Sequence, residues 1–234
     1  MLRLLSLVAV FCAAIATQAS AETIAIIGTG TVGNMLGPLW ASKGHTIIYG
    51  SRTPDADKVK TLVAATPKGS AATPQAAAQK AGIILLAVPG TAVVESTKSL
   101  GDVKGKIIID ATNVLVMKDG KVMEPDTKES LAQQIQAAAP GAFVVKAYNT
   151  MSAAAMKDQA PAGGRVSLPI SGDDAAAKAK VVELGKSTGL LPVDIGSLDM
   201  SRFQDQLGRF YVAYSRSHAP SRVEIELHPY TPKP

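Results

Sequence analysis

The residues best suited to chemistry lie near the start of the chain, where Thr23-Ile24-Ala25-Ile26-Ile27 runs straight into Gly28-Thr29-Gly30-Thr31-Val32-Gly33. A β-branched run, then G-x-G-x-x-G, then an apolar segment over 34–42 reads as strand, tight turn and helix. In that setting Gly28 permits the turn, Gly30 lets the main chain approach a pyrophosphate, and Gly33 lets the helix pack closely on the strand. The helix N-terminus then offers unpaired N–H groups and the positive end of its dipole to the anion. The chemistry implied is dinucleotide binding. A glycine turn that serves close packing alone is the plainer alternative.

A second cluster points to which dinucleotide. Residues 46–49 read as the next strand, and the chain after it is Gly50-Ser51-Arg52-Thr53, with no carboxylate before Asp55. Sites that prefer NAD place an acid here for the ribose 2′-hydroxyl. Ser51 can instead donate a hydrogen bond to a 2′-phosphate, and Arg52 can set its planar fork on one. The expected cofactor is therefore NADP(H), against the alternative that Arg52 is a solvated loop arginine. Lys58 reads as a surface helix residue, with assistance at the 2′-phosphate as the lesser alternative.

Other chemistries find little support. His45, His218 and His228 are dispersed, and the single cysteine, Cys12, falls in the N-terminal apolar run. No metal site and no catalytic acid or base is assigned. Asp110, at a strand end, reads as a turn-forming or packing carboxylate. Lys146 is a candidate proton donor to a carbonyl or imine substrate. The net charge of +5 is spread among acids, without a basic stripe interleaved with aromatics, so nucleic acid is set aside.

Positioning these residues falls to alternating strands and helices. Strands are expected at 83–88, 106–110, 143–147, 166–171 and 192–195. Helices are expected at 55–65, from Pro74 behind a Thr73 cap, at 92–100, at 130–139 and at 175–188. Continuous apolar strands such as Ile83-Ile84-Leu85-Leu86-Ala87-Val88 suit a parallel sheet buried on both faces. The alternation predicts an α/β, Rossmann-like, doubly wound and mainly parallel sheet. Ahead of it, residues 1–21 carry Arg3, an apolar run over 4–16, and small residues at Ala19 and Ala21. That pattern reads as a cleaved secretory signal, too short to span a bilayer, with a mature chain from Glu22. The expected location is periplasmic or secreted, or cytoplasmic if the segment is not a signal.

Several further strings occur in order: Leu86-Ala87-Val88-Pro89, Lys106-Ile107-Ile108-Ile109-Asp110-Ala111-Thr112-Asn113, Val145-Lys146-Ala147-Tyr148-Asn149-Thr150, Ser171-Gly172-Asp173-Asp174 and Pro192-Val193-Asp194-Ile195-Gly196. With the glycine motif and Gly50-Ser51-Arg52, this set resembles the NADP oxidoreductases dependent on the deazaflavin coenzyme F420, over about residues 23 to 210. The resemblance implies a Rossmann domain over 22–215 ending in a short helical extension, with an irregular tail over 216–234. It also implies that Thr29, Thr31 and Val32 line the pyrophosphate turn, and that Ser51 and Arg52 hold the 2′-phosphate. Ala87, Val88 and Pro89 border the ribose and nicotinamide in this reading. Asn113 and Asn149 end two strands, where either amide orients the carboxamide or the acceptor, or simply closes an Asx turn. The implied activity is direct hydride transfer to a deazaflavin, flavin or other small acceptor, with the cofactor carrying the reactivity. A noncatalytic exported NADP-binding or sensing protein and a small imine reductase stand as alternatives. A homodimer is left open, and no stable membrane insertion is expected after the signal is cleaved.

Overall fold

The computed structural model describes residues 21–119, 121–123 and 128–229, so the expected signal segment lies, but for Ala21, outside the described residues. The chain opens with strand β1 (Thr23–Ile27), helix α1 (Thr31–Ser42) and strand β2 (Thr46–Gly50). Helix α2 (Asp57–Ala64), strand β3 (Gly69–Ala72), helix α3 (Pro74–Lys80) and strand β4 (Ile83–Leu86) complete the first half. Next come helix α4 (Val93–Lys98), strand β5 (Ile107–Asp110) and a hairpin of β6 (Val116–Lys118) with β7 (Lys121–Met123). Helix α5 (Leu131–Ala138), strand β8 (Phe143–Lys146), helix α6 (Ala153–Lys157), strand β9 (Ser167–Gly172), helix α7 (Ala175–Ser187), strand β10 (Leu191–Gly196) and helix α8 (Ser201–Ser217) follow.

Local chemistry accounts for several boundaries. The Thr73 hydroxyl accepts from the Ala76 N–H at 3.3 Å and Pro74 takes the first helical position, as the sequence predicts. Ser130 and Gln133 close a reciprocal capping box on α5. β3, by contrast, was not expected: Gly-Ser-Ala-Ala has little strand propensity and extends because β2 offers it a parallel ladder. The hairpin was also passed over, although its Asp119-Gly120 dipeptide is a strong two-residue turn signal. Asp119 takes the positive φ of 50° that such a turn requires.

The eight strands order as β10-β9-β8-β5-β4-β1-β2-β3. From β3 to β8 all pairs are parallel, and β8 meets β9 antiparallel, so the sheet is mainly parallel and doubly wound. Successive residues of β1 feed opposite cores. Ile24 and Ile26 pack with Leu36 and Trp40 of α1, whereas Ala25 and Ile27 pack with Ala77 of α3, Val93 of α4 and Ile135 of α5. The chain reverses direction across the sheet at β1, between β2 and β4, and that crevice at the strand C-termini is where open α/β sheets bind ligands.

α8 lies across the C-terminal ends of β5 and β8, burying Ser201, Gln204, Asp205, Gly208 and Tyr211. Beyond it the chain runs to residue 229 without regular structure, yet it is tied down. Ser167 donates its backbone N–H to the Ile225 carbonyl at 2.9 Å, and the Leu227 N–H reaches the Ser167 hydroxyl at 2.7 Å.

Candidate functional site

At the switch point the chain leaves β1 through Gly28, whose φ of +116° excludes ordinary side chains. A Cβ at Gly28 would collide with the Ala87 carbonyl beyond β4, and one at Gly33 would strike the Gly28 carbonyl. The two glycines thus let β1, α1 and the end of β4 converge. Gly30 is the N-cap of α1 in extended conformation, and no side chain caps the helix. The first-turn N–H groups of α1 are therefore free of side-chain partners at the mouth of a cleft.

That cleft has a volume of about 290 Å³. Its walls are the β1 turn (Gly28, Thr29, Gly30), the β2 end (Ser51, Arg52, Thr53) and the β4 end (Ala87, Val88, Pro89). Lys58, the lesser candidate for the phosphate, completes it together with Pro74, Ser96 and Ser99, for which the sequence offers no signal. Lys58 sits one residue into α2, and the signal for it was the short 51–57 loop folding that helix back beside Arg52. Among the described residues the cleft lining carries two cations and no carboxylate. Ser51 accepts the Thr53 N–H at 3.1 Å, which fixes its oxygen and leaves its own proton to donate. An anion at the β2 end would meet Arg52, Lys58 and this hydroxyl together.

Thr31, Val32 and Gly33 form the first turn of α1 rather than the cleft wall. Asn113 and Asn149 also lie off the wall, bound to each other. Asn113 Nδ2 donates to the Asn149 carbonyl at 2.8 Å, and Asn149 Nδ2 donates to Asn113 Oδ1 at 3.2 Å and the Gln204 carbonyl at 2.9 Å. Tyr148, just before, is held at a φ of +66°, a costly conformation for an aromatic residue. Its ring packs edge-on against Trp40 with centroids 5.7 Å apart, and burial raises its phenol pKa well above the ordinary value.

Beneath this pair lies a buried charge cluster. Lys146 Nζ is 2.8 Å from Asp110 Oδ2, 2.7 Å from Asp205 Oδ1 and 2.7 Å from the Thr112 carbonyl it donates to. Lys146 is fully buried, which removes it as a proton donor to a bound substrate. Burial pulls its pKa down, but the two carboxylates outweigh that and hold it above the usual lysine value. Burial pushes the Asp205 carboxyl up, against the pull of the Lys146 ammonium. Asp110 does form the expected turn: its Oδ1 accepts from the Thr112 N–H at 2.9 Å and hydroxyl at 2.6 Å. His45 is buried and structural, its Nδ1 accepting the Glu22 N–H at 3.1 Å, and burial lowers its pKa.

Residues 23–114 match the family model of the coenzyme F420-dependent NADP oxidoreductases. A crystal structure of an Arthrobacter sp. FB24 protein assigned as an F420-dependent NADP-reductase is 30% identical, with a TM-score of 0.81, and covers 89% of this chain and 100% of its own. This chain belongs to that family. Its glycine cradle beside two cations fits the NADP that the family's description names. The hypothetical protein SMa0349 of Sinorhizobium meliloti is 28% identical with a TM-score of 0.65, over 78% of this chain and 88% of its own. The metalloreductase STEAP3 of Rattus norvegicus is 29% identical over 189 residues, 78% of this chain and 35% of its own. The chain thus spans about a third of the length of the curated relatives it matches. A reductive aminase from Aspergillus terreus, at 19% identity and a TM-score of 0.61, shares the fold of this family member.

Proposed function

We propose that this reductase binds NADP(H) in the switch-point cleft and passes hydride between it and a deazaflavin, flavin or other small acceptor. The observation that carries the reading is the β2 end, where Ser51, Arg52 and Lys58 converge in a cleft that holds no carboxylate among the described residues. In this reading Gly28, Thr29 and Gly30 admit the pyrophosphate to the N-terminus of α1, where the Thr31, Val32 and Gly33 N–H groups face it. Ala87, Val88 and Pro89 form the wall beside the nicotinamide, and the Asn113–Asn149 pair backs that wall. When bound, NADPH supplies the hydride, so the protein's task is to hold and orient. Buried Lys146 and His45 have no part in proton transfer.

Calorimetry with NADPH and NADH tests the assignment. NADPH is expected to bind more tightly, and Arg52→Ala to weaken NADPH by about 1.5–3 kcal/mol, the worth of hydrogen bonds to a charged group, while leaving NADH nearly unchanged. Equal loss for both nucleotides removes Arg52 from the 2′-phosphate. Turnover with a deazaflavin or free flavin supports the hydride-transfer reading. Binding without turnover of any acceptor points to the noncatalytic alternative.

Residues 1–21 are proposed to direct export, on the strength of their apolar run and small residues at 19 and 21. N-terminal sequencing of the protein from its native host is expected to begin at Glu22. An intact Met1 in a cytoplasmic fraction overturns the export assignment.

A further inference from the structure

The buried cluster of Asp110, Lys146 and Asp205 has no role in the reading above, yet it is wired to the cleft. Lys146 Nζ holds the Thr112 carbonyl at 2.7 Å, and Asp110 Oδ1 holds the Thr112 N–H and hydroxyl at 2.9 and 2.6 Å. Thr112 is thereby gripped through both of its polar main-chain groups and its side chain. The next residue, Asn113, abuts Gly90 so closely that a Cβ on Gly90 would collide with the Asn113 carbonyl. Gly90 follows Pro89, which lines the cleft. The third member, Asp205, accepts the Leu131 N–H at 3.2 Å and ties α8 and the start of α5 to the same ammonium.

We infer that Asp110, Lys146 and Asp205 are positioning residues for the nicotinamide end of the cofactor, acting through Thr112 and Asn113 on the Pro89–Gly90 wall. This rests on the assignment of NADP(H) to the cleft. The hydrogen bonds to Thr112 are short and buried, and Asn113 sits against Gly90 without room for a methyl group, so a shift at Thr112 is passed to the Pro89–Gly90 loop by direct contact. The Arg52 end of the cleft belongs to β2 and α2, on the other side of β1, and shares none of these contacts. The cluster therefore governs one half of the cofactor site and not the other.

The two halves can be probed separately with NADPH and with 2′,5′-ADP, which lacks the nicotinamide. In the native protein both bind. Asp205→Asn, nearly isosteric, is expected to weaken NADPH about tenfold, the equivalent of one net hydrogen bond, with 2′,5′-ADP affinity within about twofold. Gly90→Ala, which forces the two loops apart without touching the buried charges, is expected to show the same split and keeps the test open if Asp205→Asn does not fold. A purely structural cluster would move both affinities together or neither, and either result overturns the inference while leaving the cleft assignment standing. Failure of the native protein to bind either probe overturns both.

Discussion

At the scale of single residues, the chemistry concentrates in a few side chains with opposite environments. Arg52 is exposed and ready for an anion, whereas Lys146 is sealed between two carboxylates. One ammonium facing two carboxylates leaves the cluster one negative charge in excess, and a buried excess charge is costly. That cost shows in Asp205, whose pKa burial raises above 3.8. Between the ordinary and the raised value the native state keeps a proton that the unfolded chain has lost, so this group's contribution to stability falls as pH rises through that interval. Lys146 stays charged throughout, since its raised pKa moves its own loss of charge beyond the ordinary 10.5. Asp205→Asn has no proton to lose. Its urea midpoint relative to the native protein is therefore expected to climb as pH rises above the ordinary aspartate value. A constant difference across that range means that Asp205 ionises as an ordinary aspartate. Arg52 and Ser51 were legible in the sequence, because a strand end without a carboxylate is a local signal. The Asp205 partnership was not, since it joins residues 59 and 95 positions apart that meet only in the folded sheet.

Helix α8 is the element on which the far side of the site depends. Its Gln204 side chain donates to the Pro169 carbonyl at 2.9 Å and accepts from the Ser171 hydroxyl, so it bridges to β9 as well as β8. Close approach is possible because Gly208 has no side chain: a Cβ there would collide with Asn113 Oδ1 and lie 3.0 Å from Asn149 Nδ2. Gly208→Ala is accordingly expected to destabilise the protein by about 1–3 kcal/mol, the range for overpacking a filled interior. Amide hydrogen exchange should quicken along α8 and little elsewhere. An unchanged urea midpoint would mean that the helix rides clear of the two asparagines. The sequence carries α8 only through its family resemblance. Its buried stripe is Ser201, Gln204, Asp205, Gly208 and Tyr211, mostly polar, so hydrophobic periodicity does not announce it.

For the molecule as a whole, the two ends of the cleft belong to the two halves of the sheet that meet at β1. A ligand bridging them stabilises the native state by mass action, and NADPH at a hundredfold excess over its Kd is expected to add about 2.7 kcal/mol. Scanning calorimetry should show a higher Tm with NADPH than with NADH at the same concentration, and Arg52→Ala should erase the difference. Equal shifts from the two nucleotides would remove the 2′-phosphate from recognition. The sequence by itself determined the parallel, doubly wound core, the glycine turn and the basic β2 end, because apolar runs, glycine spacing and a strand-end arginine act over a few neighbouring residues. Tertiary structure alone decided β3, the buried Lys146 with its two carboxylates, and the turning of Asn113 and Asn149 toward each other rather than into the cleft. Each of these is a long-range pairing, and its energy exists only once distant strands and α8 have excluded water from between them.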